Sequence, residues 1–173
     1  MKSTTLATTL IAAVLPLAQA DFDIFLTHRT IGSDHEYGGK WAIWDRDRPN
    51  TCSSVFDSPL WAPRSDVSGD KTGIRCKGAC GYMGPTRDIE QLEMNFRSHA
   101  PVYHWTIYKD RNYGMYGLDG KKYGDCFVTT GNDYNCERYV SHGGGTGMEV
   151  IHGYRKFHCK TSFTAGRILA DRE

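Results

Sequence analysis

The chain has 173 residues, with 21 Lys+Arg against 20 Asp+Glu. Near-neutrality removes the electrostatic case for general nucleic-acid or anionic-membrane binding, and the length suits one domain. Beyond the first twenty residues no stretch is apolar enough to span a bilayer, and 168–173 lacks the hydrophobic tail of a lipid anchor.

The N-terminus reads as a secretory signal. Lys2 is the positive n-region, 6–17 is an apolar run, and Ala18-Gln19-Ala20 is the small-x-small cleavage pattern, so the mature chain is expected to begin at Asp21. The organisation predicted is a signal peptide over 1–20 and a single secreted domain over 21–173.

Phe22, Ile24 and Leu26 alternate with Asp23, Phe25 and Thr27 as in a strand, and Trp41 to Trp44 is a second strand candidate. Residues 58–71, with two prolines and one glycine, have the composition of an exposed loop. At 88–96 a short helix is compatible with the pattern, with Asp88 as cap, Gln91 as reciprocal partner and Ile89, Leu92 and Phe96 on one face. Leu92, Met94 and Phe96 also alternate as a strand would, and periodicity alone leaves the two open. Residues 102–109 give the clearest strand, with Tyr103, Trp105 and Ile107 on one face and His104, Thr106 and Tyr108 on the other. A turn at 110–112 leads to a strand over 113–118, and Asp119-Gly120 signals a hairpin. Strands follow at 124–129, 148–154 and 155–161, with a glycine-rich loop at 141–147. Short strands at such spacing predict a mainly β fold, an antiparallel sandwich or barrel stabilised by disulfides.

All six cysteines (Cys52, Cys76, Cys80, Cys126, Cys136 and Cys159) follow the signal, and an even count in an exported chain predicts three disulfides. Spacing leaves fifteen pairings open. Cys126–Cys136 is the favoured one, a short loop whose closure is worth about 3 kcal/mol. A zinc site at Cys76-x3-Cys80 is the rival, disfavoured by an oxidising compartment.

His142-Gly-Gly-Gly resembles an oxyanion-hole loop, but no G-x-S-x-G elbow follows it. Zincin, P-loop, dinucleotide and calcium-loop patterns and glycosylation sequons are absent from the sequence. The histidines keep hydrolysis open. His104 or His158, with Glu149 or Glu137 as carboxylate, contains the parts of a ribonuclease-type acid–base pair. Lys156, His158 and Lys160 share one strand face. Tyr103, Tyr113 and Tyr116 are candidate stacking residues, whereas Trp105 is assigned to the core.

The segments Asp66-Val-Ser-Gly-Asp-Lys-Thr-Gly-Ile-Arg-Cys76, His104-Trp-Thr-Ile-Tyr-Lys-Asp-Arg111 and Tyr116-Gly-Leu-Asp-Gly120 resemble small secreted cysteine-rich proteins of filamentous fungi. Many of these are candidate effectors that act on a host plant or a competing microbe. The resemblance implies an extracellular, effector-like protein and brings no catalytic residues with it. The expectation is a monomer without cofactor, metal or membrane anchor, recognising a host or competitor protein or glycan, with nucleic acid disfavoured as partner. The alternatives are a secreted ribonuclease-type hydrolase and a glycan- or cell-wall-binding module.

Overall fold

The computed structural model describes residues 20–32, 35–46, 51–96, 103–142 and 144–170. The signal sequence expected at the N-terminus lies outside the described residues, apart from Ala20.

The fold is mainly β, as expected. Nine strands run β1 (Ala20–Ile31), β2 (His35–Asp45), β3 (Gly73–Gly78), β4 (Ile89–Asn95), β5 (His104–Tyr108), β6 (Gly114–Gly117), β7 (Lys122–Val128), β8 (Tyr134–His142) and β9 (Gly145–Thr161). They form one sheet in the order β2-β1-β9-β7-β6-β5-β4-β3, and β8 adds to β9. Every strand pair is antiparallel. The segment 61–64 bridges the outer strands. Trp61 exchanges backbone hydrogen bonds with Trp41 of β2 (2.7 and 2.9 Å), and Ala62 and Arg64 bond Ile74 of β3. The sheet thereby almost closes into a barrel, which leaves few unpaired edges.

Alternation decides what fills the barrel. Phe22, Ile24 and Leu26 of β1 meet Trp41, Ile43, Leu92, Met94, Trp105, Ile107, Met115 and Phe157 in one buried core. Trp105 is 0% exposed, in line with its assignment to the core. A smaller cluster outside the barrel, built on Phe25, Trp44, Cys136 and Ile151, is covered by Val55 of a short helix, α1 (Cys52–Asp57). Thr51 caps α1 by accepting from the Ser54 N–H. A second helix, α2 (Ala165–Ala170), buries Ile168, and its Ala165 N–H donates to Asp45.

Residues 88–96 are not a helix. A 3-10 turn at Thr86–Asp88 leads directly into β4, which is hydrogen-bonded on both edges. The alternation of Leu92, Met94 and Phe96 prevails because all three reach the core this way, whereas a helix would turn Met94 out. The two strands expected at 148–154 and 155–161 are one, β9. A bulge marks the join: Phe25 faces Arg155, Ile24 faces Phe157, and Lys156 has no opposite. The glycine-rich stretch expected as a loop is instead the tip of the β8–β9 hairpin, paired through Ser141–Thr146 and His142–Gly145. Gly143 lies outside the described residues.

Three disulfides form, as expected, but the favoured pairing does not. The bonds are Cys52–Cys136, Cys76–Cys80 and Cys126–Cys159. β7 and β8 lie end to end along one edge of β9, with Cys126 opposite Cys159 and Cys136 opposite Ile151. Roughly 26 Å of strand separates those positions at about 3.3 Å per residue, far beyond a disulfide's reach. No helix among the described residues is long and apolar enough to cross a membrane.

Candidate active-site cleft

The outward face of β3–β6 carries a row of directly opposed residues, Arg75, Glu93, Thr106 and Tyr116. Arg75, Glu93 and Thr106 are flanked in sequence by residues of or against the core (Ile74 and Cys76, Leu92 and Met94, Trp105 and Ile107), and Tyr116 follows the buried Met115, so strand alternation points all four away from the core. One step along the strands lies His104, and one step the other way Tyr108. A 3-10 turn at Lys109–Arg111 then presents Arg111. That turn stops where Asn112 and Tyr113 take left-handed φ values of 52° and 56°. Asparagine tolerates that region, whereas tyrosine is strained there.

Arg75, Glu93, Thr106, Tyr108, Arg111 and Tyr116 line a cleft of about 240 Å³ with Gly117, Leu118 and Gly120, and His104 lies behind Glu93. Glu93 is its electrostatic centre. His104 Nε2 lies 2.8 Å from Oε1, and Arg75 donates Nε to Oε2 at 2.7 Å. Both carboxylate oxygens are therefore engaged, in a site where the Glu93 side chain is only 15% and that of His104 only 6% exposed. Charge-assisted bonds of this kind fix geometry more firmly than neutral ones. Arg111 is held differently. Its guanidinium lies 4.6 Å from the Tyr108 ring centroid and 5.0 Å from that of Tyr116. Among the described residues no carboxylate pairs with it, so its N–H groups can receive an anion. The cleft thus combines a carboxylate fixed by His and Arg with an unneutralised cation and two phenols.

Of the residues singled out from sequence, His104 and Tyr116 belong to this cluster. His158 lies elsewhere, its Nδ1 2.7 Å from Asp23, with Asp21 on its other side. Glu149 is fully buried between Arg29 and Arg138. The structure does not bring His104, His158 and Glu149 together, and Glu137 sits on β8, away from both histidines. Lys156 is buried: its ammonium donates to the carbonyls of Gly81, Tyr82 and Gly84 at 3.0–3.3 Å. It therefore does not share the outward face of His158, because the bulge turns it inward. Burial pulls its pKa below the ordinary lysine value. Lys160 is exposed and approaches the Phe127 ring. Tyr103 is buried, its hydroxyl accepting from Arg167, and Tyr113 is half-buried against Phe157 with its hydroxyl donating to the Arg87 carbonyl.

Sequence reasoning missed Glu93, Arg75, Tyr108 and Arg111 as site residues. The signal for Glu93 was present, since strand alternation through Leu92 and Met94 points it outward, but only strand register places it beside His104. Cys76 and Cys80 are joined to each other and so are not zinc ligands. Among the described residues no three His, Cys, Asp or Glu side chains converge as a metal set. Comparison with family models, with curated proteins and with solved structures returns no match, so the chemistry of the cleft is read from its geometry alone.

Proposed function

We propose that this chain is an exported, effector-like protein whose working surface is the β3–β6 cleft, and that the cleft acts on RNA by ribonuclease-type acid–base chemistry. The observation that carries the proposal is the Glu93 carboxylate fixed between Arg75 and His104 (2.7 and 2.8 Å), beside a cleft that also holds Arg111, which pairs with no carboxylate among the described residues. Glu93 is the base that takes the ribose 2′-hydroxyl proton. The 2′-oxygen bonds to phosphorus, the bond to the 5′-oxygen breaks, and solvent water supplies the proton to the departing oxygen. Arg111 balances charge on the phosphate, and Arg75 and His104 hold the carboxylate in place. The cleft is smaller than the usual small-molecule pocket, which suits a single residue of a polymer. Three disulfides fit an oxidising compartment and support the export half of the proposal.

The test is incubation of the oxidised protein with a single-stranded RNA oligomer and its 2′-deoxy analogue. The expected outcome is cleavage of RNA alone, leaving 2′,3′-cyclic ends, with Glu93→Gln slower by a factor of about 10²–10⁴. Uncleaved RNA, or equal rates for the variant, overturns the chemistry. Infiltration of wild-type and Glu93→Gln protein into plant leaves tests the biological half, and a response to the wild type alone ties effect to cleft.

A further inference from the structure

The barrel does not cover the whole inner side of its sheet. Beyond Leu26, β1 continues through His28 and Thr30, and β9 reaches back through Tyr154, His152, Val150 and Met148. β8 adds Asn135, Glu137 and Tyr139 in register with the last three. Alternation sets all these residues on the same side as the core, yet each is half-buried or exposed, with Tyr139 78% and Met148 44% exposed. At the barrel end the face runs into the loop after β3, whose Tyr82 ring lies 5.0 Å from His28 and 5.8 Å from Tyr154. His152 continues the series, 6.4 Å from Tyr154. The loop is fixed twice over, by the Cys76–Cys80 bond and by the buried Lys156 ammonium bonding three of its carbonyls.

We infer that this face is a second binding site, separate from the cleft, and that its ligand is an uncharged oligosaccharide. Its described residues include no lysine or arginine. The neighbouring Arg29 and Arg138 are turned to Glu149 on the opposite side of the sheet. Among the described residues a polyanion finds no lysine or arginine here, and the Glu137 carboxylate would repel it. A protein partner favours an apolar, well-desolvated centre, whereas the middle of this face is Asn135, His152 and His28. Aromatic rings interleaved with amide, carboxylate and hydroxyl groups match a ligand with apolar C–H faces and a hydroxyl rim. The loop's double anchorage sets Tyr82 in place before binding, which lowers the entropy lost on association.

The inference does not depend on RNA cleavage, and one titration series separates the two. Chitohexaose, cellohexaose and laminarihexaose are titrated calorimetrically into the oxidised protein. At least one should bind, at least tenfold more weakly to Tyr82→Ala and Tyr139→Ala and with unchanged affinity to Arg111→Ala. Both tyrosines are exposed, and retention of the wild-type urea midpoint shows that the variants remain folded. Binding of none of the three sugars overturns the inference, as does equal affinity for wild type and the tyrosine variants. Displacement of bound sugar by single-stranded RNA would likewise count against it. So would a dimer in solution that Tyr139→Lys dissociates, since a second copy would then be the occupant.

Discussion

Removing the disulfides one at a time separates what holds the fold from what holds its surface. The bonds close stretches of very different length, with sequence separations of 84, 33 and 4 for Cys52–Cys136, Cys126–Cys159 and Cys76–Cys80. If restriction of the unfolded chain dominates, their loss costs about 4.6, 3.7 and 1.9 kcal/mol respectively. Position in the structure modifies the order. Cys126 and Cys159 are 2% and 0% exposed within the main core, so a paired change to alanine also removes buried sulfur and adds roughly 1–2 kcal/mol for lost packing. Cys52 is exposed, and its bond tethers α1 to β8 rather than filling space. The two long-range pairs should therefore each cost about 4–6 kcal/mol, against about 2 kcal/mol for Cys76→Ala/Cys80→Ala. The assay is urea denaturation of the three double variants, with the slope of the transition compared as well as its midpoint, because a changed slope reports a changed denatured state. The Cys76–Cys80 variant should keep most of its stability while losing affinity at the face that Tyr82 borders. If it is instead as unstable as the other two, chain restriction is not the main source of the stabilisation and the reasoning fails.

Two further outcomes follow from single residues. Gly153 is covered by the Tyr134 ring, and a Cβ built there falls 2.1 Å from Tyr134 Cζ. That ring packs on Phe25 and Trp44, and burial pushes its hydroxyl pKa up to about 12. Gly153→Ala should displace the ring and cost about 2–3 kcal/mol in thermal or urea unfolding, and a neutral result would refute the contact. Lys156 supplies a pH test. Burial, opposed by Asp133, lowers its folded-state pKa, so the unfolded chain binds that proton more tightly. Wild-type stability relative to Lys156→Met should therefore rise with pH from the lowered value up to about 10.5, the unfolded lysine value, and level off above it. Urea midpoints of both proteins from pH 7 to 11 check the sign, and a relative fall over that window contradicts it.

Strand content, the face each strand buries and the existence of three disulfides were legible from local pattern. Alternation is a property of a few neighbouring residues, and an even cysteine count depends on no geometry. The division of Tyr103, Trp105 and Ile107 from His104, Thr106 and Tyr108 is one such case. The helix-or-strand ambiguity at 88–96 was not legible, because both periods place Leu92 and Phe96 inward and only β3 and β5 on either side of β4 select the strand. Pairing of the cysteines was equally hidden. Cys126 and Cys136 are close in sequence, but their strands meet β9 at different points along its length.

The cleft shows the same division. Sequence alone makes His104 an outward strand residue and supplies a near-neutral chain with acid–base side chains to spare. It does not say which carboxylate meets that histidine, because register between strands is fixed by long-range pairing and closure of the sheet. Tertiary structure chose Glu93 over Glu149, set Arg75 against it and left Arg111 on two tyrosine rings. It also buried Lys156, because a single extra residue in β9 reverses the direction of every side chain after it. Residues facing one way on one strand are a local fact; residues from four strands meeting in one cleft depend on the whole sheet.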